Sequence, residues 1–206
     1  NRCGIQPNLG KTVCWNAAGG TPPEGIAALG NNVWRGAGPA EGQGIRLLGA
    51  PLGTPEFIQR FGERHVAKAS ALLEQIQGMS QLQHAWLLFY FCLVPRINHL
   101  LRQVPPAQVE TTARAFHRLT ESGLQALLGQ AGDPLPDACV RQARLPFRGG
   151  GLGLRDSLAL SSAAYWASWA DTLPGMHARC PALAGRVVAY LNTPAPGRAS
   201  DKYPLN

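Results

Sequence analysis

The sequence lacks paired acidic residues: its 12 Asp and Glu are dispersed over 206 positions, and no two of them are adjacent. It also lacks the G-x-S-x-G nucleophile elbow of the α/β-hydrolases. Glycosidase chemistry needs two carboxylates that flank one bond, and esterase chemistry needs an activated serine. A hydrolase is therefore the weakest of the functions that the residues allow.

Close-set cysteines are missing as well. The five cysteines are widely scattered and form no C-x-x-C pair, so zinc-knuckle spacing is excluded (Cys3, Cys14, Cys92, Cys139 and Cys180). Their odd number argues against a simple disulfide framework. We expect a reduced, intracellular protein of the cytoplasm or nucleus.

Long apolar runs are absent too. The longest, residues 85–95 (AWLLFYFCLVP), is too short to span a bilayer and predicts a buried helix and no membrane partner. No charged-then-apolar leader follows Asn1. From its start at Asn1, we expect a piece of a longer open reading frame.

Lysine is rare, with three residues against 16 arginines, and the net charge is +7. Arginine binds phosphate through its planar fork and stacks on bases, which suits a nucleic-acid partner. A composition biased toward Arg, Ala, Gly and Pro explains the same numbers. Charge alone leaves both interpretations open.

The remaining pattern predicts a mainly α fold with a small β element. Thr54, Pro55 and Glu56 begin a helix that runs to about Gln77 and closes at Gly78. Residues 45–48, followed by a tight turn at 50–53, predict a small hairpin before it. Further helices are predicted at about 80–94, 97–103, 106–128, 157–173 and 181–191. Residues 138–155 are predicted to hold a Gly-rich turn whose amides could meet a phosphate.

Basic residues recur on the predicted helices. Arg60, Arg64 and Lys68 are spaced by four, while Arg96 and Arg102 lie in a stretch without acids between Glu74 and Glu110. Arg148 lies in a second acid-free stretch, residues 138–155. A solvated helix face, with acids nearby, is the competing explanation for the first three.

Gly10-Lys11-Thr12 is similar to the end of a phosphate-binding loop. However, a Walker A loop needs Gly where Ile5 stands, and Pro7 removes a backbone donor that such a loop uses. The sequence therefore does not predict a P-loop here.

Four segments in this order resemble the reverse transcriptase of non-LTR (LINE-type) retrotransposons, from the end of the palm through the thumb. Gly4-Ile5-Gln6-Pro7-Asn8-Leu9-Gly10-Lys11-Thr12 looks like motif D, and LLGAPLG at 47–53 looks like the motif E primer-grip hairpin. VPRINHLLRQVPP, from residue 94, is similar to the thumb. LPFRGGGLGLR, from residue 145, resembles the LP-x-x-x-GGLGL segment that follows it.

The resemblance implies site residues. Lys11 would lie near the nucleotide triphosphate, and the hairpin would hold the primer by backbone and apolar contact (Leu48, Gly49, Ala50, Pro51, Leu52 and Gly53). Arg60, Arg64, Lys68, Arg96, Arg102 and Arg148 would bind the backbone of an RNA template paired with a DNA primer. An ordinary exposed lysine remains the alternative for Lys11.

The resemblance also implies what this chain lacks. The full-length enzyme would hold Mg²⁺ through aspartates of motifs A and C, but no Tyr-x-Asp-Asp is present. We therefore expect no catalysis by this piece alone, no metal bound by it and no small-molecule cofactor. The alternative is a non-catalytic helical nucleic-acid-binding or interaction module, or a decayed retroelement remnant.

The resemblance also suggests a division of the chain. Residues 1–53 would end the palm with a motif D strand, a Gly- and Pro-rich link and the motif E hairpin. Residues 54–129 would form the thumb, 130–192 a helical segment after it, and 193–206 a flexible tail.

Overall fold

The computed structural model describes residues 8–129 and 133–193. This part of the chain is mainly helical with one two-stranded antiparallel sheet, which confirms the predicted fold at that level. The strands are β1 (Gly44–Leu47) and β2 (Ala50–Gly53). The helices are α1 (Pro55–Gln77), α2 (Leu82–Leu88), α3 (Asn98–Gln103), α4 (Pro106–Leu128), α5 (Asp137–Arg144), α6 (Ser157–Arg179) and α7 (Pro181–Leu191). Short 3-10 turns occupy Leu9–Lys11, Ala27–Leu29, Ala40–Gly42 and Phe147–Gly149.

Contacts divide the chain into two units after Tyr165. The first contains the hairpin, α1 to α5 and the beginning of α6. The second contains the rest of α6 and all of α7, with Ala184 buried. No helix in the described residues is both long and apolar enough to pass through a bilayer.

Helix α1 begins and ends where its sequence predicts. Thr54 Oγ1 accepts a hydrogen bond from the Phe57 amide, 3.2 Å away, and Gly78 follows the last turn. Its apolar stripe is buried against α4, to which it packs most extensively. At Gly62 the approach is so close that an added Cβ would lie 1.9 Å from Thr112 Oγ1 of α4.

The predicted helix over 80–94 is not one regular helix. After α2 the chain forms a π-helical turn, Phe89–Leu93, and then a 3-10 turn, Val94–Ile97, before α3 begins. Pro95 explains the change, because it has no N–H to donate to the preceding turn. The Val94 amide instead donates to the Phe89 carbonyl, five residues back.

The prediction that residues 85–95 are buried holds for one face only. Phe89 and Leu93 are fully buried, but Leu87, Leu88 and Phe91 are exposed. An apolar run without polar interruptions does not indicate which face packs, and the surrounding helices cover only one side of this segment.

The hairpin exists, but the turn was predicted in the wrong place. Residues 50–53 form its second strand, with Gly44 opposite Gly53 and Leu47 opposite Ala50. The turn consists of Leu48 and Gly49, whose φ angles are 48° and 92°. Positive φ at both central residues is the geometry of a type I′ turn, which matches the twist of the strands that it joins.

The predicted motif D strand is wrong where the structure describes it. Lys11 ends a 3-10 turn: its amide donates to the Asn8 carbonyl at 3.0 Å, and so does the Thr12 hydroxyl. Local bonds to one carbonyl favour a turn over an extended strand. Residues 4–7 of the predicted segment lie outside the described residues.

The segment after α4 differs from its prediction in two ways. Residues 137–144 form α5, for which no helix was predicted, because its short amphipathic pattern lies between prolines and glycines. The amides of residues 149–154 also donate to carbonyls of residues 143–147, so they are not available to a phosphate. That part of the prediction was wrong.

Helix α6 continues six residues beyond its predicted end near Leu173, to Arg179. Pro174 removes one hydrogen bond from the helix without ending it. Residues 170–172 of the preceding turn are exposed, so the carbonyl left without its donor can meet water.

Candidate nucleic-acid interface

The hairpin turn lies against α3. A Cβ added at Gly49 would be 3.2 Å from His99 Nε2, so only glycine lets the turn approach this closely without displacing the ring. The positive φ of Gly49 also favours glycine at this position. The turn is therefore fixed beside the first turn of α3.

The space left by Gly53 is filled from within the protein as well. An added Cβ would meet the Gln43 carbonyl oxygen at 2.5 Å and the Phe57 ring at 2.8 Å. The predicted role of Gly49 and Gly53 was to let a primer strand approach. In the structure their missing side chains leave room for His99, Gln43 and Phe57, and the contact with a primer stays a prediction.

The outer surface of the hairpin is apolar. Leu48 is 91% exposed at the turn, and Leu47 and Leu52 are exposed on the strands, whereas Pro51 is buried and Ala50 partly buried. A leucine with positive φ is uncommon and carries backbone strain. Backbone strain clusters at functional sites, so the strain at Leu48 makes this turn a candidate contact surface.

His65 joins α1 to the segment before α3. Its Nε2 is 3.1 Å from the backbone carbonyl oxygen of Arg96, and since a carbonyl only accepts, Nε2 carries the proton of the neutral ring. Burial lowers the pKa of His65 below its ordinary 6.5; the bond to the Arg96 carbonyl opposes this, and the nearby charges of Arg96, Lys68 and His99 add to it.

Those charges define a group of basic side chains, His65, Lys68, Arg96 and His99, which we call the basic cluster. It comes from α1, the 3-10 turn Val94–Ile97 and α3, and through His99 it adjoins the hairpin turn. Lys68, Arg96 and His99 are exposed, and none of them forms an ion pair with a described residue. Unneutralised positive charge at one place favours an anionic partner.

Arg60 and Arg64, which precede Lys68 on α1, both have partners within the protein. Arg60 forms an ion pair with Glu41 of the turn Ala40–Gly42, at 3.3 Å. Arg64 donates from Nε to the Arg60 carbonyl at the same distance. Both side chains remain exposed, so only Lys68 of the three joins the basic cluster.

Three other predicted residues are exposed and are not members of the basic cluster. Arg102 is exposed in the last turn of α3, and Arg148 is exposed in the turn Phe147–Gly149, where it follows Phe147 in sequence. Lys11 is exposed, and no hydrogen bond or ion pair within the described ranges joins it to the hairpin.

A second polar group, which no sequence pattern predicted, joins α4, α5 and the start of α6. His117 Nδ1 is 3.1 Å from Asp156 Oδ1, and its Nε2 is 3.4 Å from Glu121 Oε1. Arg144 contacts the same two carboxylates and also lies 3.0 Å from His117 Nε2. Asp156 in addition accepts from the amides of residues 158 and 159, which begin α6.

This group is suited to holding helices together and not to hydrolysis. An Asp–His pair activates a nucleophile only if the second imidazole nitrogen faces one. Here His117 Nε2 faces Glu121 and Arg144 instead. The four members are up to 39 positions apart in sequence, which is why no spacing pattern predicted them.

The described residues do not fit a magnesium site. Across residues 8–129 and 133–193, no three His, Cys, Asp or Glu side chains come together in a way that could hold a metal ion. Mg²⁺ needs a set of oxygen ligands with near-octahedral geometry. No chemical step is therefore assigned to a metal held by these residues.

Comparison of the chain with protein-family models, with curated proteins and with solved structures finds no match. The resemblance to retrotransposon reverse transcriptases is thus carried by the sequence motifs alone.

Proposed function

We propose that this chain is the template–primer-binding part of an RNA-directed DNA polymerase of the non-LTR retrotransposon type. It would contribute the primer-grip hairpin and the backbone-binding side of the thumb. The aspartates that hold the metal ions would belong to a part of the polymerase upstream of residue 1. Catalysis would require that part, and the chain alone would bind without extending.

One observation supports this proposal above all: the hairpin turn and the basic cluster are adjacent. Gly49 lies against His99, and His99, Lys68 and Arg96 all lie within electrostatic range of His65. A strand held at the exposed leucines of the hairpin would have its phosphates next to three unneutralised cationic or protonatable side chains. Such contacts give affinity without sequence choice, as a polymerase requires.

Each of these residues would then have its own role in binding. Lys68 and Arg96 would contact phosphates, Leu48 would contact the apolar face of the primer end, and His65 would hold the Arg96 backbone in place. The role of Lys11 near a triphosphate rests on the motif D resemblance alone.

The test is binding of the chain to an RNA–DNA hybrid over about 50 to 200 mM salt. If Lys68 and Arg96 each neutralise a phosphate, log K falls against log salt with a slope of about −1.8 or steeper. The double variant Lys68→Gln/Arg96→Gln should make the slope less negative by about 1.8, whereas Arg118→Gln, an exposed arginine of α4 outside the cluster, should not. Affinity that does not depend on salt contradicts phosphate binding.

A non-catalytic nucleic-acid-binding module is the second candidate, because the basic cluster needs no polymerase to bind a duplex. Joining the chain to its natural upstream sequence separates the two. Metal-dependent primer extension that is lost in the Lys68→Gln/Arg96→Gln variant supports the polymerase. An upstream sequence with an intact aspartate pair and no extension supports the module.

A further inference from the structure

A second exposed surface lies on the π-helical turn and the turn Phe147–Gly149. Tyr90 is in edge-to-face contact with Phe91 at 5.0 Å and with Phe147 at 5.7 Å between ring centroids. Trp86 stacks against Tyr90 from the α2 side, at 6.0 Å. We call Tyr90, Phe91 and Phe147 the aromatic patch.

The two outer rings of the patch are exposed although the core lies beneath them. Phe91 is 66% exposed and Phe147 is 63% exposed, while Phe89 between Leu88 and Tyr90 is fully buried. Burial of a phenylalanine side chain stabilises a folded protein, so two exposed rings in contact with one tyrosine forgo a gain that folding offers. Clustered exposed rings of this kind mark a binding surface.

The patch is held in a fixed geometry. The loop that carries Phe147 is closed by backbone bonds, from the Gly150 amide to the Phe147 carbonyl at 3.0 Å and from the Gly149 amide to the Pro146 carbonyl at 2.8 Å. Tyr90 makes edge-to-face contact with both phenylalanines. Rings that are already positioned lose little conformational entropy when a ligand binds.

The charge around the patch selects its partner. Both segments that form it lie in acid-free stretches, residues 75–109 and 138–155. Arg148 follows Phe147 directly, is exposed, and has no ion-pair partner in the described part of the chain, whereas Arg144 in the same stretch is paired with Glu121. Exposed aromatic faces beside an unneutralised arginine are the combination that binds unpaired nucleotides, with bases on the rings and phosphate on the guanidinium.

We propose that the aromatic patch and Arg148 bind the unpaired bases of a single-stranded nucleic acid. This inference rests on the proposed nucleic-acid-binding function and adds a second site to it. The basic cluster would hold a paired region by its phosphates, and the patch would hold an unpaired region by its bases. The two sites use different chemistry, so they respond to different substitutions.

The experiment compares two fluorescent ligands on the full chain: a single-stranded oligothymidylate of about 12 nucleotides, and an RNA–DNA hybrid of the same length. Phe91→Leu/Phe147→Leu keeps apolar side chains but removes the faces on which bases stack. We expect it to weaken single-strand binding at least about tenfold and hybrid binding less than about twofold. Tyr190→Leu, which removes an aromatic ring 76% exposed in the second unit, is the matched control and should change neither.

Arg148→Gln is the second variant. It should reduce the salt slope of single-strand binding by about 0.7, as expected for one phosphate contact. Urea unfolding of each variant checks that the fold is kept, and the exposed positions make a large change unexpected.

Each possible result has a distinct meaning. Selective loss of single-strand affinity supports the inference. Equal loss on both ligands, or no loss on either, overturns it while leaving the hybrid-binding proposal intact. Absence of hybrid binding by the unmodified chain contradicts the proposed function. If that chain still binds the single strand, the inference about the aromatic patch remains supported. If Phe91→Leu/Phe147→Leu abolishes self-association in sedimentation and leaves oligothymidylate binding unchanged, the patch is a contact between copies and the inference is wrong.

Discussion

His65 donates a hydrogen bond from Nε2 to the backbone carbonyl of Arg96, and this single contact joins α1 to the turn that leads into α3. The centroid of its ring also lies 6.4 Å from that of the Phe116 ring, so this residue of α1 contacts both α4 and the turn before α3. His65 therefore connects parts of the fold and also lies near the side chains that are proposed to contact phosphates.

Acidification should destabilise the protein through His65. Its pKa in the folded state is lowered from 6.5, chiefly by burial, so the unfolded chain binds the proton more readily. The stability that the neutral ring contributes is present above about pH 6.5 and is lost as the pH falls through the folded pKa. Urea unfolding at about pH 7.5 and about pH 5.5 measures the loss.

The variant His65→Gln can keep a donor for the Arg96 carbonyl without a group that titrates in this range. It should lose less stability than the unmodified chain between the two pH values. His84→Gln, an exposed histidine of α2, is the control and should follow the unmodified chain. An unmodified chain whose stability rises on acidification would show that the direction assigned to His65 is wrong.

Replacement of Leu48 should raise the stability of the protein but weaken its binding to the hybrid. Asn tolerates positive φ and favours the first position of a type I′ turn, so Leu48→Asn should raise the free energy of unfolding by about 0.5–1 kcal/mol. Under the proposed function it should also weaken hybrid binding, because the exposed leucine at the turn is lost. Urea unfolding and fluorescence anisotropy measure the two effects.

Leu47→Asn is the matched control for Leu48→Asn, because Leu47 is exposed on the adjoining strand and has no positive φ. It should not stabilise the protein. Destabilisation by Leu48→Asn would contradict the strain argument, and unchanged hybrid affinity would remove the hairpin turn from the interface.

Local signals in the sequence predicted α1 and α4 well. The Thr54 cap, Pro55 and Gly78 defined α1, and the apolar period of residues 106–128 defined α4, because each signal depends on neighbours within one or two turns. The turn of the hairpin was predicted two residues too late, since Leu48 is not a residue that positive φ favours.

Features that depend on residues far apart in sequence could not be predicted in this way. The bond from His65 to Arg96 spans 31 positions, and the contact of Gly49 with His99 spans two different elements. Basic residues alone therefore identified Lys68 and Arg96 as candidates but could not indicate that Arg60 would be paired with Glu41. The histidines of the cluster were recognisable only once the helices were packed.

The close approach of α1 and α4 should make Gly62 intolerant of a side chain. Gly62→Ala would bring Cβ within 1.9 Å of Thr112 Oγ1, so the helices must separate, with an expected loss of about 1–3 kcal/mol of unfolding free energy. Gly185→Ala is the control, because Gly185 is a helical glycine of α7 with open space around it. Alanine at this position should raise the free energy of unfolding by about 0.5–1 kcal/mol.

The double variant Gly62→Ala/Thr112→Ala tests the cause of that loss. Removal of the Thr112 hydroxyl and methyl groups leaves only its Cβ near the new methyl group, at 3.0 Å. The combined effect on unfolding should therefore be smaller than the sum of the two single effects. Additive effects would mean that the destabilisation arises elsewhere.

The polar group around His117 should stabilise the junction of α4, α5 and α6 more than a surface ion pair does. Arg144→Met removes contacts to Glu121, Asp156 and His117 and leaves two partly buried carboxylates with one partner fewer. We expect a loss of about 1–3 kcal/mol in urea unfolding. Arg114→Met breaks the exposed pair with Glu110 on the same helix α4 and should lose only about 0.3–0.5 kcal/mol.

A double-mutant cycle decides whether the group acts as a unit. Arg144→Met and Glu121→Gln should couple, because each substitution removes the same contact, and the double variant should lose less stability than the two single variants together. Hybrid affinity should be unchanged in all of them, since no member of the group belongs to the basic cluster. If Arg144→Met lowers hybrid affinity while the fold stays intact, the interface extends beyond the hairpin turn and the basic cluster to α5.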